Sequence, residues 1–246
     1  MKKASGKLAG KVVLVTGAAR RLGRALALGA AGEGAQVVIT YWNSLQDAQR
    51  TVASLLELGN EALAIRCDVR DPLNVEEMVR EVVSERGGID VLINNAGVYT
   101  TTPFEEITPE QWDGMFSINA RGPFLVSRAA LPHLRRRRGR IVNIGSLGGL
   151  RPWATHVHYC ASKAALLMLT KGMAKAVAPE VAVNCVAPGM ISMGERSDET
   201  VRSIVSKTPI GRAGTPADIV EAALFLASAT HFITGQVLAV DGGLGL

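Results

Sequence analysis

Three side chains that could carry out acid–base chemistry fall in one stretch of the chain: Ser146, Tyr159 and Lys163. Tyr159 and Lys163 are four residues apart, at the start of a run rich in alanine and leucine that predicts a helix. Residues at this spacing share a helix face, so the phenol and the ammonium group should lie side by side. The cation should lower the tyrosine pKa from its usual value near ~10. Such a phenol could exchange a proton near neutral pH.

Ser146 follows the apolar run Arg140–Ile144, which we predict to be a strand. A hydroxyl at the carboxyl end of that strand is well placed to hydrogen-bond a carbonyl held against Tyr159. The Tyr-x-x-x-Lys spacing is also compatible with two polar residues that only cover a solvated helix face. Among the three tyrosines, only Tyr159 has a lysine four residues later, and the rest of the chain decides between the two interpretations.

The length of 246 residues and an apolar content of 48% are those of a single α/β domain with a large core. No apolar window is long enough to cross a membrane. Residues 1–8 contain lysines but no apolar segment, so we predict a flexible tail and no secretory signal. Three widely spaced cysteines suggest no disulfide framework, which favours a reducing cytoplasm. His156 and His158 lack a third ligand at metal spacing, so we predict no metal site and assign both to the pocket wall or the surface.

The basic excess is local, since Arg135–Arg138 supply four charges of a net +5. This run could form a patch for nucleic acid or a membrane surface. It could equally be a solvated helix end, where cations suit the helix dipole. The second interpretation is favoured because neither interleaved aromatic residues nor a recognition motif accompanies the run. We therefore predict no nucleic-acid and no membrane partner.

Apolar, β-branched runs alternate with helical patterns along the whole chain. The predicted strands are Lys11–Thr16, Gln36–Thr40, Ala62–Arg66, Ile89–Ile93, Arg140–Ile144, Val181–Val186 and Gln236–Val240. The predicted helices are Arg24–Gly34, a helix capped by Ser44 and running to Leu58, Pro72–Arg86, Thr108–His133, the helix that carries Tyr159, and Pro216–Ala227. Right-handed crossovers then give one doubly wound, Rossmann-type domain, a seven-stranded parallel sheet with helices on both faces. Residues 190–214 are predicted to form a mobile substrate flap.

A glycine-bearing turn, residues 17–23, joins the first strand to the first helix and could bring backbone N–H groups to a pyrophosphate. Arg20 and Arg21 stand at this helix N-terminus, where cations are unfavourable unless an anion lies nearby. A ribose 2′-hydroxyl is normally held by an acidic residue after the second strand. No acid stands there, and Arg20, Asn43 and Ser44 could donate to a 2′-phosphate. The sequence therefore predicts NADPH as the cofactor.

The ordered set of motifs resembles the short-chain dehydrogenase/reductase family over roughly Lys7 to Gly243. The residues that carry the resemblance are Thr16-Gly17-x-x-Arg20-Arg21-Leu22-Gly23, Asp68-Val69, Asn94-Asn95-Ala96-Gly97, Asn119, Ser146, Tyr159-x-x-x-Lys163, Pro188-Gly189 and Asp241-Gly-Gly. The resemblance implies hydride transfer between a nicotinamide and a carbonyl or alcohol carbon. The cofactor-binding residues that it and the turn imply are Gly17, Arg20, Arg21, Leu22, Asn43, Ser44, Asp68, Val69, Asn95, Ala96, Gly97, Tyr159, Lys163, Pro188, Gly189 and Ile191.

The same resemblance implies catalytic roles for four residues. Tyr159 is the general acid in reduction and the base in the reverse direction, and Lys163 lowers its pKa and holds the nicotinamide ribose. Ser146 positions the substrate oxygen, and Asn119 holds a water that links Lys163 to solvent. The family also implies a homotetramer, which the apolar C-terminal residues 237–246 favour.

Two features of the chain leave the substrate open. Arg21, in place of the family's middle glycine, resembles pteridine reductases, which reduce dihydropterins. Ser146 resembles instead the ketone reduction of 3-oxoacyl-carrier-protein reductases. Met193 stands where a threonine often contacts the nicotinamide carboxamide. A nucleotide-binding regulator without catalysis is a further alternative on this fold, and the Asn119, Ser146, Tyr159 and Lys163 set argues against it.

Overall fold

The computed structural model describes residues 6–193 and 199–246, in which seven parallel strands form one sheet. The strands are β1 (Val12–Val15), β2 (Gln36–Tyr41), β3 (Ala62–Arg66), β4 (Val91–Asn94), β5 (Arg140–Ile144), β6 (Ala182–Pro188) and β7 (Val237–Val240). Their order across the sheet is β3-β2-β1-β4-β5-β6-β7. The chain adds β2 and β3 on one side of β1, then returns and adds β4 to β7 on the other side. This switch in strand order opens a crevice beyond the carboxyl ends of β1 and β4. The predicted doubly wound domain with a seven-stranded parallel sheet is confirmed.

Helices cover both faces of the sheet because both faces of each central strand are apolar. The helices are α1 (Arg21–Gly32), α2 (Leu45–Glu57), α3 (Pro72–Arg86), α4 (Pro109–Phe116), α5 (Gly122–Arg137), α6 (Val157–Ala176), α7 (Glu199–Val205) and α8 (Pro216–Ser228). Val13 and Val15 pack with α1 and α8 on one face, and Val12 and Leu14 pack with α3 and α5 on the other. All four are at most 3% exposed. Burial on two sides explains why the strands are continuous apolar runs.

Three local predictions about helices were wrong. The predicted helix Thr108–His133 is interrupted by a π-helical turn at Ser117–Arg121, which separates α4 from α5. The first helix begins at Arg21 and ends at Gly32, earlier than predicted at both ends. Ser44 does precede α2, but its side chain makes no capping hydrogen bond.

The segments predicted to be flexible are partly ordered by packing. Residues 1–5 of the predicted tail lie outside the described residues. Leu8 belongs to the core, is 2% exposed and donates its N–H to the carbonyl of Glu33 at 3.2 Å, so the tail prediction is wrong for residues 6–8. Within residues 190–214, Ile191 pairs with Gly214, and α7 was not predicted. Residues 194–198 lie outside the described part, and the mobility of the flap stays a prediction.

Candidate active site

Tyr159, Lys163 and Ser146 meet at the carboxyl end of β5, as the spacing predicts. Ser146 is 5% exposed and starts a 3₁₀ turn at Leu147–Gly149, where its hydroxyl accepts the N–H of Gly148 at 3.0 Å. The Ser146 hydroxyl acts on the Tyr159 phenol and favours its ionised form. Lys163 Nζ lies 6.0 Å from the centroid of the Tyr159 ring. A phenol, a hydroxyl and an amine therefore converge in one small volume.

Lys163 is the buried amine of this site. The residue is 5% exposed, and Nζ donates a hydrogen bond to the carbonyl of Ile144 at 2.9 Å. Burial lowers the pKa of Lys163 from 10.5 to about 8. A Cβ atom added to Gly97 would lie 3.6 Å from Nζ, so the absence of a side chain at Gly97 leaves the amine open to the segment that follows β4.

The Tyr159 pKa was expected to be lowered by Lys163, but its net shift is upward because burial dominates. Burial raises the pKa of Tyr159 above 10.0, and the Ser146 hydroxyl opposes this rise without cancelling it. The Lys163 ammonium group is directed to the carbonyl of Ile144. Burial penalises the phenolate because the charged form loses its hydration.

Asn119 lies in the π-helical turn and is completely buried. Its Oδ1 accepts the N–H of Val98 at 2.8 Å, and its Nδ2 donates to the carbonyl of Val98 at 2.9 Å and to Ser162 Oγ at 3.0 Å. These bonds tie the segment after β4 to the helix that carries Tyr159. π-Helical turns occur frequently at functional sites, and the predicted water-holding role of Asn119 stays a prediction.

Aromatic side chains surround the Tyr159 ring. Tyr99 meets it edge-to-face with the centroids 5.0 Å apart, and Trp153 lies nearly parallel to it at 6.3 Å. His156 stacks on Tyr99 at 4.8 Å. Tyr99 was not predicted as a site residue. Its place two residues after the Asn-Asn-Ala-Gly segment, at the carboxyl edge of the sheet, was the available signal.

The two histidines line the wall of this site and make hydrogen bonds to threonines. His156 Nε2 pairs with Thr101 Oγ1 at 2.9 Å, and His158 Nε2 pairs with Thr100 Oγ1 at 2.8 Å. Burial lowers the pKa of both His156 and His158, so both rings are neutral at neutral pH. Among the described residues, no group of three or more His, Cys, Asp or Glu is placed to hold a metal ion.

A crevice of about 640 Å³ opens beyond the carboxyl ends of β1 and β4, where the strand order switches. Ten of the predicted cofactor-binding residues line it: Gly17, Arg20, Arg21, Leu22, Asn43, Asp68, Val69, Asn95, Ala96 and Gly97. Six lie outside its lining: Ser44, Tyr159, Lys163, Pro188, Gly189 and Ile191. Gly97 connects the crevice to the catalytic group, because a Cβ on it would be 3.2 Å from Asn119 Oδ1 and 3.6 Å from Lys163 Nζ.

The predicted cofactor residues at and after the end of β6 are held by later segments of the same chain. Pro188 ends β6, and Gly189 donates its N–H to the carbonyl of Val240 at 3.0 Å. A Cβ on Gly189 would come within 2.7 Å of the Asp241 backbone, which explains the glycine. Ile191 pairs with Gly214 as described above. These three residues border the carboxyl edge of the sheet without lining the crevice itself.

The glycine turn fits a dinucleotide. Gly17 has a φ of +62°, and a Cβ there would lie 2.8 Å from the Ala96 backbone. A Cβ on Gly23 would lie 2.5 Å from the carbonyl oxygen of Gly17. The turn can therefore close tightly against the segment after β4, with the N-terminus of α1 at the crevice, an arrangement suited to a pyrophosphate. Arg21 has a φ of +54°, a conformation in which glycine is far more common.

At the other end of the crevice, Asp68 supplies the only carboxylate among the lining residues that the structure describes. Arg70 binds it through Nε at 2.8 Å and Nη2 at 2.6 Å, and this pairing holds the pKa of Asp68 below its usual value. Its charge is therefore compensated. Asp68 was predicted as a cofactor-binding residue, whereas Arg70 was not predicted at all.

A second arginine at this end, Arg66, was also missed. Its guanidinium lies 4.5 Å from the centroid of the Trp42 ring, and its Nε donates to the Trp42 carbonyl at 3.3 Å. Trp42 itself lines the crevice. Arg66 is placed there because it pairs in register with Tyr41 across β2 and β3. Its relevance could be seen only with the strand order known.

The arginine run agrees with the interpretation as a solvated helix end. Arg135–Arg138 are exposed where α5 ends, and Arg137 donates to the carbonyl of Gly87 at 3.0 Å. No helix in the described residues is long and apolar enough to cross a membrane.

Comparison with known proteins agrees with this geometry. Residues 17–245 match a family model described as enoyl-(acyl carrier protein) reductase. The chain is 37% identical over 240 residues to the 3-oxoacyl-[acyl-carrier-protein] reductase FabG of Staphylococcus aureus, covering 95% of this chain and 98% of that protein. The chain belongs to the short-chain dehydrogenase/reductase family. It is therefore an NAD(P)-dependent oxidoreductase that acts on CH–OH or C=O groups. Galactitol 2-dehydrogenase of Agrobacterium fabrum is 36% identical, over 96% of this chain and 98% of that one.

Solved structures give the same assignment. A short-chain dehydrogenase/reductase of Serratia marcescens, as a double variant, superposes with a TM-score of 0.93 at 36% identity, covering 98% of this chain and 100% of that one. A blue fluorescent protein from a metagenomic library, solved in complex with NADPH, gives a TM-score of 0.92 at 35% identity with the same coverage.

Proposed function

We propose that this chain is an NADPH-dependent reductase that converts a ketone or 3-oxoacyl group to an alcohol. The observation that carries the proposal is that Lys163 Nζ lies 6.0 Å from the centroid of the Tyr159 ring, with the Ser146 hydroxyl acting on the same phenol. These groups stand beside a crevice whose turn suits a dinucleotide. The similarity to a 3-oxoacyl-[acyl-carrier-protein] reductase supports a carbonyl substrate.

When bound, the reduced nicotinamide supplies the hydride that adds to the carbonyl carbon. Ser146 holds the carbonyl oxygen by a hydrogen bond, and Tyr159 donates its hydroxyl proton to that oxygen as the alcohol forms. Because burial raises the pKa of Tyr159, the phenol stays protonated at neutral pH, as an acid catalyst of reduction requires. Lys163 stabilises the phenolate left behind, which is then reprotonated from solvent by way of Lys163 and Asn119. The oxidation of an alcohol needs the phenolate and is therefore favoured at higher pH.

The preference for NADPH over NADH rests on the charges at the β2 end of the crevice. Arg20 and Asn43 line the crevice there, and Arg66 adds a second guanidinium through its stacking on Trp42. No carboxylate pairs with Arg66 among the described residues. Charge-assisted hydrogen bonds contribute about 1.5–3 kcal/mol each, so two of them to a 2′-phosphate would give a preference on the order of 10²–10⁴. Ser44 was predicted to donate as well, but it lies outside the crevice lining.

The test is the initial rate of NADPH and NADH oxidation with ketones, acetoacetyl thioesters, quinones and dihydropterins. We expect a higher kcat/KM with NADPH, and a loss of that preference in Arg66→Ala. Arg128→Ala is the matched control, because the Arg128 guanidinium also lies over an aromatic ring, that of Phe124, but Arg128 does not line the crevice. Equal use of the two cofactors by the wild type would contradict the 2′-phosphate argument. Cofactor binding without turnover of any compound would favour a nucleotide-binding regulator.

Reduction of a dihydropterin is the second candidate. It is supported by Arg21, which lines the crevice in a backbone conformation typical of glycine, and by the half-exposed ring of Tyr99 beside Tyr159. A guanidinium and an aromatic face could orient a planar heterocycle. Turnover of dihydropterins in preference to ketones in the panel would select this candidate.

A homotetramer in the cytoplasm, without nucleic-acid partners, completes the proposal. Large apolar side chains are exposed on α8, on β7 and near the C-terminus: Phe225, Phe232, Leu238 and Leu246. Phe232 is 97% exposed and Leu246 95%. Apolar surface of this kind on one region typically marks a protein–protein contact. Retention on DNA that disappears when Arg135–Arg138 are neutralised would contradict the absence of a nucleic-acid partner.

A further inference from the structure

The group of Tyr99, Trp153 and His156, called here the aromatic wall, borders the phenol that is proposed to protonate the substrate. Tyr99 meets the Tyr159 ring edge-to-face at 5.0 Å and is 54% exposed, so a large part of its ring is available to a ligand. Trp153 meets His156 edge-to-face at 5.7 Å and lies within 13° of parallel to Tyr159. Three aromatic rings thus bound the space into which a carbonyl substituent must project.

Hydrogen bonds between two chain segments fix the aromatic wall. The threonines that follow Tyr99 are joined to the start of α6: Thr100 to His158 at 2.8 Å and Thr101 to His156 at 2.9 Å. The N–H of Thr102 also donates to the carbonyl of Thr155 at 3.0 Å. Tyr99 is therefore held against Tyr159 by the residues that directly follow it. A ring positioned in this way contacts a ligand without first losing conformational freedom.

The turn at Gly148 keeps other side chains away from these rings. A Cβ on Gly148 would lie 3.3 Å from Trp153 Cζ3 and 3.3 Å from Tyr159 Cε1. Any larger residue would extend between the two rings. The lowered pKa of His156 leaves the aromatic wall uncharged at neutral pH, so it offers no ion pair to an acidic substrate.

We propose that the aromatic wall makes this enzyme selective for carbonyl compounds with an aromatic ring bonded directly to the carbonyl carbon. The carbonyl oxygen must reach Tyr159 and Ser146, so the adjacent substituent lies beside Tyr99 and Trp153. Aromatic rings attract one another edge-to-face or offset-stacked at centroid distances of about 4.5–7 Å, beyond the effect of buried area. Each such contact favours an aromatic over a saturated ring by about 2- to 10-fold. This inference rests on the proposed reduction.

The experiment compares two methyl ketones that differ only in ring saturation, acetophenone and 1-cyclohexylethanone. Dissociation constants are measured by ligand-observed NMR with Tyr159→Phe and saturating NADP⁺, because this variant keeps the ring and cannot donate the proton. The dissociation constants of both ketones are measured again in the double variant Tyr99→Leu/Tyr159→Phe. Comparing the ratio of the two constants between the two proteins removes the intrinsic differences between the ketones. We expect tighter binding of acetophenone, and a 2- to 10-fold fall of this preference with Tyr99→Leu.

Phe104→Leu is the matched control. Phe104 belongs to the same loop and is 68% exposed, and none of the ring contacts of the aromatic wall includes it. The preference should be unchanged in Phe104→Leu. An unchanged preference in Tyr99→Leu, or an equal fall in both variants, would overturn the proposal. The kcat/KM ratio of the two ketones with intact Tyr159 should follow the binding ratio. If neither ketone is reduced while the binding preference depends on Tyr99, the proposed reduction is wrong and the selection of aromatic rings still holds.

Discussion

Arg21→Gly should be more stable than Arg21→Ala, and both should weaken the cofactor site. The two variants lose the same side chain, so their difference in stability reports the backbone alone. Arg21 has a φ of +54°, in the left-handed region that costs a residue with a side chain about 1–2 kcal/mol. Glycine removes this cost, but its greater freedom in the unfolded chain costs about 0.5–1 kcal/mol. The net difference is about 0–1.5 kcal/mol in the free energy of unfolding, which for a chain of 246 residues corresponds to a Tm difference of up to about 6 °C.

The effect of Arg21→Gly on function has the opposite sign. Arg21 lines the crevice at the N-terminus of α1, where a pyrophosphate is expected. Loss of a hydrogen bond to a charged group costs about 1.5–3 kcal/mol, which weakens binding about 10- to 100-fold. NADPH and NADH should lose the same factor, because they share the pyrophosphate and differ only at the ribose.

The assay for Arg21→Gly pairs thermal unfolding without added cofactor with calorimetric titration of both cofactors. Arg20→Gly is the matched control, since Arg20 has a φ of −153° and no left-handed strain to relieve. The Tm of Arg20→Gly should not rise, and this variant should lose affinity for NADPH but not for NADH. A Tm in Arg21→Gly below that of Arg21→Ala would refute the strain argument. A selective loss of NADPH in Arg21→Gly would show that this arginine, and not Arg20, binds the 2′-phosphate.

Four further outcomes are expected. Tyr159→Phe should lower kcat by about 10²–10⁴-fold with NADPH binding nearly intact, and more than a tenth of the wild-type kcat would remove Tyr159 from the acid role. Tyr41→Asp should reverse the NADPH preference, as judged by kcat/KM for both cofactors, because it restores the carboxylate for a free 2′-hydroxyl. Burial lowers the pKa of Lys163 from 10.5 to about 8, so the unfolded chain binds more protons between these values and this residue's contribution to stability rises with pH. The free energy of unfolding of wild type, measured with denaturant relative to that of Lys163→Met, should therefore rise by up to about 3 kcal/mol from pH 8 to pH 10.5. A difference between the two proteins that does not change with pH would contradict the buried amine. Light scattering should show a tetramer, or failing that a dimer, and a stable monomer at micromolar concentration would refute this.

The strands were predictable because their burial on both faces is visible in the sequence itself. The continuous apolar residues of β1, Val12–Val15, leave no other placement than a covered sheet. The interruption at Ser117–Arg121 has a local signal that was missed, since Pro123 has no N–H to donate to the carbonyl of Asn119, but the contacts that hold it are distant in the chain. Asn119 bonds to Val98, 21 residues away, and to Ser162, 43 residues away. Arg66 was missed for a related reason: its place beside Tyr41 depends on the pairing of β2 with β3.

The four-residue spacing of Tyr159 and Lys163 predicts that they share a helix face, but it does not predict the direction of the Tyr159 pKa shift. Four residues on a helix place Tyr159 and Lys163 on one face, but the flexible lysine stem is free to choose its partner, and here Nζ donates to Ile144. A nearby cation favours the phenolate, whereas full burial raises a pKa by up to about 3–5 units. Burial also lowers the pKa of Lys163 to about 8, so the amine is neutral at the pH at which this phenol ionises. The sign is thus decided between two opposed effects by the depth of burial, which the sequence does not contain.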